Sequence, residues 1–138
     1  MIGLASNVLV RYFTQDDKDQ SARATRLVEG LDEDNQGFVS LVALVELHWV
    51  LRRAYKVSRD DATGILRKLL NAQELVVQEP DAVRRALTRV AGDIDFSDAL
   101  ISELDTAAGC VYTATFDGRA ARLVGMELVP EIDAAESG

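Results

Sequence analysis

The 138-residue chain holds a single cysteine and a single histidine. With Cys110 alone, neither an intramolecular disulfide nor a CxxC metal site can form. Its setting in Gly109-Cys110-Val111-Tyr112 reads as a buried strand thiol rather than a reactive nucleophile. His48 stands two residues from Glu46 and therefore on a different helical face, so a packing or surface role is expected of it rather than ligation. No stretch approaches the roughly 20 apolar residues that span a bilayer. Arg11 and Asp16-Asp17 break the N-terminal apolar run where a secretory signal would continue. A soluble cytoplasmic protein with no membrane partner is expected. A Gly-rich phosphate loop, a dinucleotide fingerprint, a Ser/His/Asp set, internal repeats and low-complexity segments are all missing. Basic residues are also outnumbered, 15 Lys and Arg against 23 Asp and Glu, for a net charge of −8. That balance excludes a simple basic-groove nucleic-acid module. It still admits a metal-dependent nuclease, in which divalent cations offset local carboxylate charge.

What is present is an alternation of short apolar runs with amphipathic stretches. Met1 to Val10 begins as a strand that hands over to a helix, with Ser6 or Asn7 as its cap and Phe13 near its end. A helix over 21–31 follows, with Ala24, Leu27, Val28 and Leu31 at helical spacing. A strand is expected at 38–40, a mostly apolar helix from Leu41 to about Tyr55, a helix opened by Ser58 that runs to about Asn71, and a strand at 75–77. Then come a helix over 81–90, a loop over 91–94, a helix from Asp95 through Ala108 closed by Gly109, and a strand at 110–114. A helical turn over 117–123 and a strand at 126–129 complete one α/β domain over 1–132, with a disordered tail at 133–138. Short apolar strands alternating with helices imply a parallel sheet of about five strands covered on both faces.

Four carboxylates draw attention. Glu46 has Val42, Ala43, Trp49 and Val50 as its helical neighbours, and a glutamate on an apolar stripe calls for a cation, a proton or a strong donor. Asp95 and Asp98 lie three apart at a helix start and project from one side; capping explains Asp95 readily, but Asp98 leads straight into Ala99-Leu100-Ile101. Asp117 follows a strand at its carboxyl end, where the crevice of an open α/β sheet lies, and Thr115 can orient a carboxylate or a metal-bound water. Such hard-oxygen groups suit Mg²⁺ or Mn²⁺ and phosphodiester hydrolysis. Arg11, Arg119 and Arg122 are the candidate phosphate contacts.

In order and spacing these motifs resemble the PIN-domain ribonucleases, in particular the VapC-like toxins of bacterial type II toxin–antitoxin modules. Ile2-Gly3-Leu4-Ala5-Ser6-Asn7-Val8-Leu9-Val10 is similar to the family's opening, Val39-Ser40 through Glu46-Leu47 to its second strand and glutamate helix, Asp95-Phe96-Ser97-Asp98-Ala99-Leu100 to its acidic helix start, and Thr115-Phe116-Asp117 to its last acidic turn. The resemblance implies a three-layer α/β/α domain and a Mg²⁺- or Mn²⁺-dependent endoribonuclease acting on RNA. Glu46, Asp98 and Asp117 would be its site carboxylates and Asp95 a possible fourth, with Ser6, Asn7 and Thr115 in support. It also implies homodimers and a cognate antitoxin whose C-terminal segment covers the active-site groove, touching helices near 21–31 and 41–55. The departure is Ala5, where the family carries a metal-binding aspartate. Either an active-site variant, such as an engineered aspartate-to-alanine replacement, or a naturally inactive homologue accounts for it. A non-catalytic PIN-like interaction domain is the chief rival. A phosphate-transfer α/β domain is a poorer one, since it would be expected to place a phosphoryl-accepting aspartate at a strand end and a lysine near the site, and Lys18, Lys56 and Lys68 fall in helices or loops.

Overall fold

The computed structural model describes residues 1–90 and 94–132. Most of the loop expected at 91–94 and the tail at 133–138 lie outside the described residues. The chain divides into two compact units, Met1–Arg84 and Arg85–Gly138.

The first unit is organised on three short parallel strands, β1 (Ile2–Gly3), β2 (Gly37–Val39) and β3 (Leu75–Val77), in the order β1-β2-β3. Ile2 is opposite Gly37 and Gly3 opposite Phe38; Gly37, Phe38 and Val39 face Leu75, Val76 and Val77. Two bonds extend the ladder past the strand ends, Leu4 N to Phe38 O at 2.9 Å and Gln78 N to Val39 O at 2.9 Å. The connections are helical, as parallel strands require: α1 (Ser6–Thr14) and α2 (Lys18–Glu29) after β1, α3 (Leu41–Arg53) and α4 (Arg59–Asn71) after β2. Caps explain where most of these begin. Asp17 accepts from Gln20 N, Ser40 from Ala43 N and Ser58 from Asp61 N. Gln78 Oε1 takes a further orphan donor of α3, Leu41 N, at 3.0 Å.

Helix α1 begins earlier than its expected caps allow. Leu4 keeps a ladder bond to β2, the Ala5 carbonyl already accepts from the Val8 and Leu9 amides, and Ala5 is the N-cap; no side chain caps this helix. Ser6 and Asn7, expected as caps, are the first helical residues. At the far end of α1, Asp16 accepts from Tyr55 Oη at 2.5 Å, Thr14 Oγ1 at 2.9 Å and Arg11 Nη1 at 2.9 Å, tying the α1–α2 turn to the residues just beyond α3. The Tyr55 hydrogen bond leads in holding the Asp16 carboxyl below the ordinary aspartate range; Thr14 and Arg11 add to it against partial desolvation.

Leu9, Val39, Leu44, Leu47, Leu51, Leu66 and Val83 are the largest fully buried side chains of this unit. Gly37 sits where three leucines converge: a Cβ there would meet Leu31 and Leu75 Cδ atoms at 2.9 Å and a Leu4 Cδ at 3.0 Å.

Helix α5 (Pro80–Arg89) starts in the first unit and ends in the second. The second unit adds α6 (Phe96–Ala107), α7 (Gly118–Val124) and a parallel pair, β4 (Ala114–Thr115) with β5 (Glu127–Leu128). Phe96, Ala99 and Leu100 are buried, and Ala120, Val124 and Met126 form a cluster against which Ile94 packs. Glu103 accepts from Arg85 Nε at 3.0 Å and Arg89 Nη1 at 3.0 Å, and Arg89 also donates to the Val124 carbonyl at the end of α7. Burial alone would raise the Glu103 carboxyl, but the two arginines outweigh it and lower it.

The strand expected at 110–114 is displaced, and Cys110 is exposed rather than buried. Gly109 adopts the left-handed conformation (φ 94°), and the Cys110 amide turns back to Asp105 O at 3.0 Å, so it serves the end of α6 instead of a ladder. Among the described residues, seven helices and five strands give the expected α/β class, the strands forming a parallel sheet of three and a parallel pair rather than the one five-stranded sheet expected. Among the described residues no helix is long and apolar enough to cross a membrane.

Gly37→Ala is expected to lower stability by about 1–3 kcal/mol through overpacking, read as a reduced urea midpoint at unchanged m-value.

Candidate active site

The carboxyl ends of β1 and β2 lie side by side, so the helices that follow them start next to each other. That adjacency brings Ser6, at the first position of α1, to Glu46 in the second turn of α3: Ser6 Oγ donates to Glu46 Oε2 at 2.6 Å. Glu46 is exposed. Its apolar neighbours mislead, because Val42 (75% exposed) and Trp49 (57%) face outward with it, whereas the buried stripe of α3 is Ala43, Leu44, Leu47, His48 and Leu51. The partner that Glu46 called for is a hydroxyl donor. His48 has the packing role expected of it, at 6% exposure.

Position 5 immediately precedes Ser6, exposed and at the N-cap of α1, where aspartate is among the preferred residues. Asn7 and Arg11 line a groove of about 370 Å³ between α1 and α2, together with Val8, Gln20, Arg23 and Leu27. The Arg11 guanidinium is engaged there, by Asp16, Tyr55 Oη and Gln20 Oε1 at 2.8 Å.

The second unit carries the aspartates. Asp95 is the N-cap of α6 by backbone conformation but makes no cap bond; its Oδ2 accepts from Ser97 Oγ at 3.1 Å instead. Asp98 lies in the first turn of α6, partly buried. Asp117 is the N-cap of α7, accepting from Arg119 N at 2.9 Å, and its own amide donates to Thr115 Oγ1 at 3.0 Å. The Thr115 hydroxyl expected to orient a carboxylate thus takes the backbone amide of Asp117 rather than its carboxylate. Burial pushes the Asp98 carboxyl above the ordinary aspartate range, and the like charges of Asp95 and Asp117 push it the same way. The three aspartates therefore share one electrostatic environment. Ser97 was not singled out in the sequence; a serine two residues after a helix-start aspartate is its signal.

The described geometry thus forms two sets: Ala5, Ser6 and Glu46 in the first unit, and Asp95, Asp98, Thr115 and Asp117 in the second. Among the described residues no three His, Cys, Asp or Glu side chains are grouped closely enough to hold a metal ion. The donor chemistry is all oxygen, with unrelieved repulsion at Asp98, the environment that a hard divalent cation would relieve.

The sequence matches the PIN domain model over residues 4–125, and the chain belongs to the PIN domain family. Among solved structures it is similar to Mycobacterium tuberculosis VapC20, a sarcin–ricin loop cleaving toxin, with a TM-score of 0.46 and 18% identity over 88% of this chain and 94% of that one. No curated protein matches its sequence.

The raised Asp98 carboxyl makes a pH prediction. The fold binds its proton more tightly than the unfolded chain does, so stability falls as pH rises from the ordinary aspartate range to the folded value of Asp98. Asp98→Asn is expected to be more stable than the unsubstituted chain at neutral pH without divalent ions, the gain vanishing below the ordinary aspartate range. Thermal melts of both proteins from pH 3 to pH 7 check this.

Proposed function

We propose that this PIN domain is the toxin component of a type II toxin–antitoxin module and that its parent activity is divalent-metal-dependent endoribonucleolytic cleavage of RNA, in the cytoplasm. The observation that carries the reading is the raised Asp98 carboxyl among Asp95 and Asp117, inside a chain that matches the PIN domain over nearly its whole length. Residues 1–132 act as one PIN-like domain. In this reading Asp98 and Asp117 are metal ligands, Glu46 and Asp95 complete the acidic set, and position 5 is the place of a missing aspartate ligand. Bound Mg²⁺ or Mn²⁺ would supply an activated water and charge neutralisation at the phosphate. The chain's own residues do the positioning: Ser6 orients Glu46, Thr115 orients Asp117, and Ser97 holds Asp95. Arg119 is the phosphate contact of this reading; Arg11, the other candidate, is engaged by Asp16, Tyr55 and Gln20. A homodimer and a cognate antitoxin belong to the same proposal, with the antitoxin's C-terminal segment reaching the α1–α2 groove.

Ala5 leaves this chain impaired. Losing even an outer-shell partner typically costs about 10–100-fold in metal affinity or activity, so Ala5→Asp is expected to raise Mg²⁺-dependent RNA cleavage by at least about that factor. Gel assays with and without EDTA check it; equal inactivity of both proteins would count against a nuclease. Ala5 itself favours one alternative, a non-catalytic PIN-like interaction domain. Calorimetric titration of the Ala5→Asp protein with Mn²⁺ separates the two, because a purely structural set of acids shows no specific binding.

A further inference from the structure

The approach to Asp117 carries a feature that neither its capping nor its carboxylate explains. From Tyr112 to Phe116 exposure alternates with the two-residue period of an extended chain: Tyr112, Ala114 and Phe116 are open, while Thr113 and Thr115 are partly covered. The covered threonines have internal work, Thr113 Oγ1 bonding Asp105 at 2.7 Å and Thr115 bonding the Asp117 amide. The open face presents two aromatic rings, Tyr112 at 54% and Phe116 at 87% exposure. Phe116 has no packing role of note at that exposure, and it is bonded directly to the residue whose carboxylate is read as part of the acidic set. Arg122, one turn into α7, folds back towards the same place, its Nη1 3.4 Å from where a Cβ at Gly118 would sit. Among the described residues it makes no ion pair. In a chain of net charge −8, a guanidinium and an open ring flanking one aspartate are a local exception.

We infer that Phe116 is a base-stacking platform that seats an unpaired RNA nucleotide beside Asp117, with Arg122 holding the adjoining phosphate. Aromatic rings recognise single-stranded bases by their π-faces, with the arginine taking the backbone. This rests on the ribonuclease reading and deepens it: the substrate is single-stranded or has a splayed base at the cleavage point, and Phe116 is a positioning residue. Tyr112, four residues back on the same open face, is roughly 13 Å away along an extended chain at 3.3 Å per residue, room for a second nucleotide.

Because the Ala5 chain is impaired in cleavage on this reading, binding can be measured on it directly. The probe is a fluorescein-labelled single-stranded 12-mer oligoribonucleotide of mixed sequence, read by anisotropy, with the duplex of the same strand as comparison. Phe116→Ala is expected to weaken single-strand binding by roughly 5- to 150-fold, the usual range for one aromatic–base stack, while Phe116→Trp retains it and the duplex binds more weakly than the single strand throughout. Arg122→Gln is expected to reduce the slope of log Kd against log salt by about 0.7, one phosphate contact on a single strand. Phe116 is so exposed that unchanged thermal melts should accompany the loss. Normal RNA binding that is indifferent to Phe116→Ala overturns the stacking assignment alone. So does a self-association, seen by sedimentation, that Phe116→Ala abolishes while RNA affinity stays put, since the ring would then cover a second copy. Failure of the unsubstituted chain to bind any oligoribonucleotide overturns the ribonuclease reading instead.

Discussion

The parallel register of β2 between β1 and β3 is the constraint from which the first half of the site follows. With only two or three residues per strand, each ladder rests on a handful of bonds. Gly37 lets the leucines of three segments close over β2, and Val39 fills its buried end. Once β1 and β2 lie side by side in the same direction, their carboxyl ends release two helices at neighbouring points. A hydroxyl at the start of one and a carboxylate one turn into the other then meet. Ser6 and Glu46 are 40 residues apart in the chain, and no local preference would pair them.

The aspartates of the second unit meet a different requirement. Asp95 and Asp98 share one helix start, and Asp117 opens the next helix. Capping alone would leave each of them comfortable. Instead Asp98 is partly buried with two like charges near, an arrangement that lowers stability at neutral pH unless something positive arrives. Sites that accept such a cost are commonly functional ones. The arginines show the converse, since Arg85 and Arg89 are spent on Glu103 and the end of α7, and Arg11 on Asp16 and Tyr55. Cationic groups used in holding the fold together are of little use for phosphates.

Much of this was legible beforehand. The strands at Gly37–Val39 and Leu75–Val77 stand within a residue of where their apolar runs place them, and helices α3, α4 and α6 start at or beside their Ser and Asp signals. These features are local: a side-chain oxygen that caps, a run that must be covered. What failed was also instructive. The apolar neighbours of Glu46 imply a buried stripe, but hydrophobic periodicity cannot tell a core-facing row from an outward one when both are apolar. The apolar run at Cys110 implies a strand, but Gly109 and the amide of Cys110 belong to the end of α6. Helix α1 starts at Ser6, one residue before a Ser6 cap would allow, because the Ala5 carbonyl already accepts from the Val8 and Leu9 amides.

Sequence by itself therefore determined the α/β alternation, the PIN family pattern and the identity of the acidic residues, since period, caps and turn residues act over a few positions. It also marked position 5 as the odd one, an alanine where the pattern asks for an acid. Only the tertiary structure decided that Ser6 serves Glu46, that Asp98 shares its field with Asp95 and Asp117, and that Phe116 stands open beside Asp117. Those facts depend on strand register and solvent exposure, which arise between segments distant in the chain.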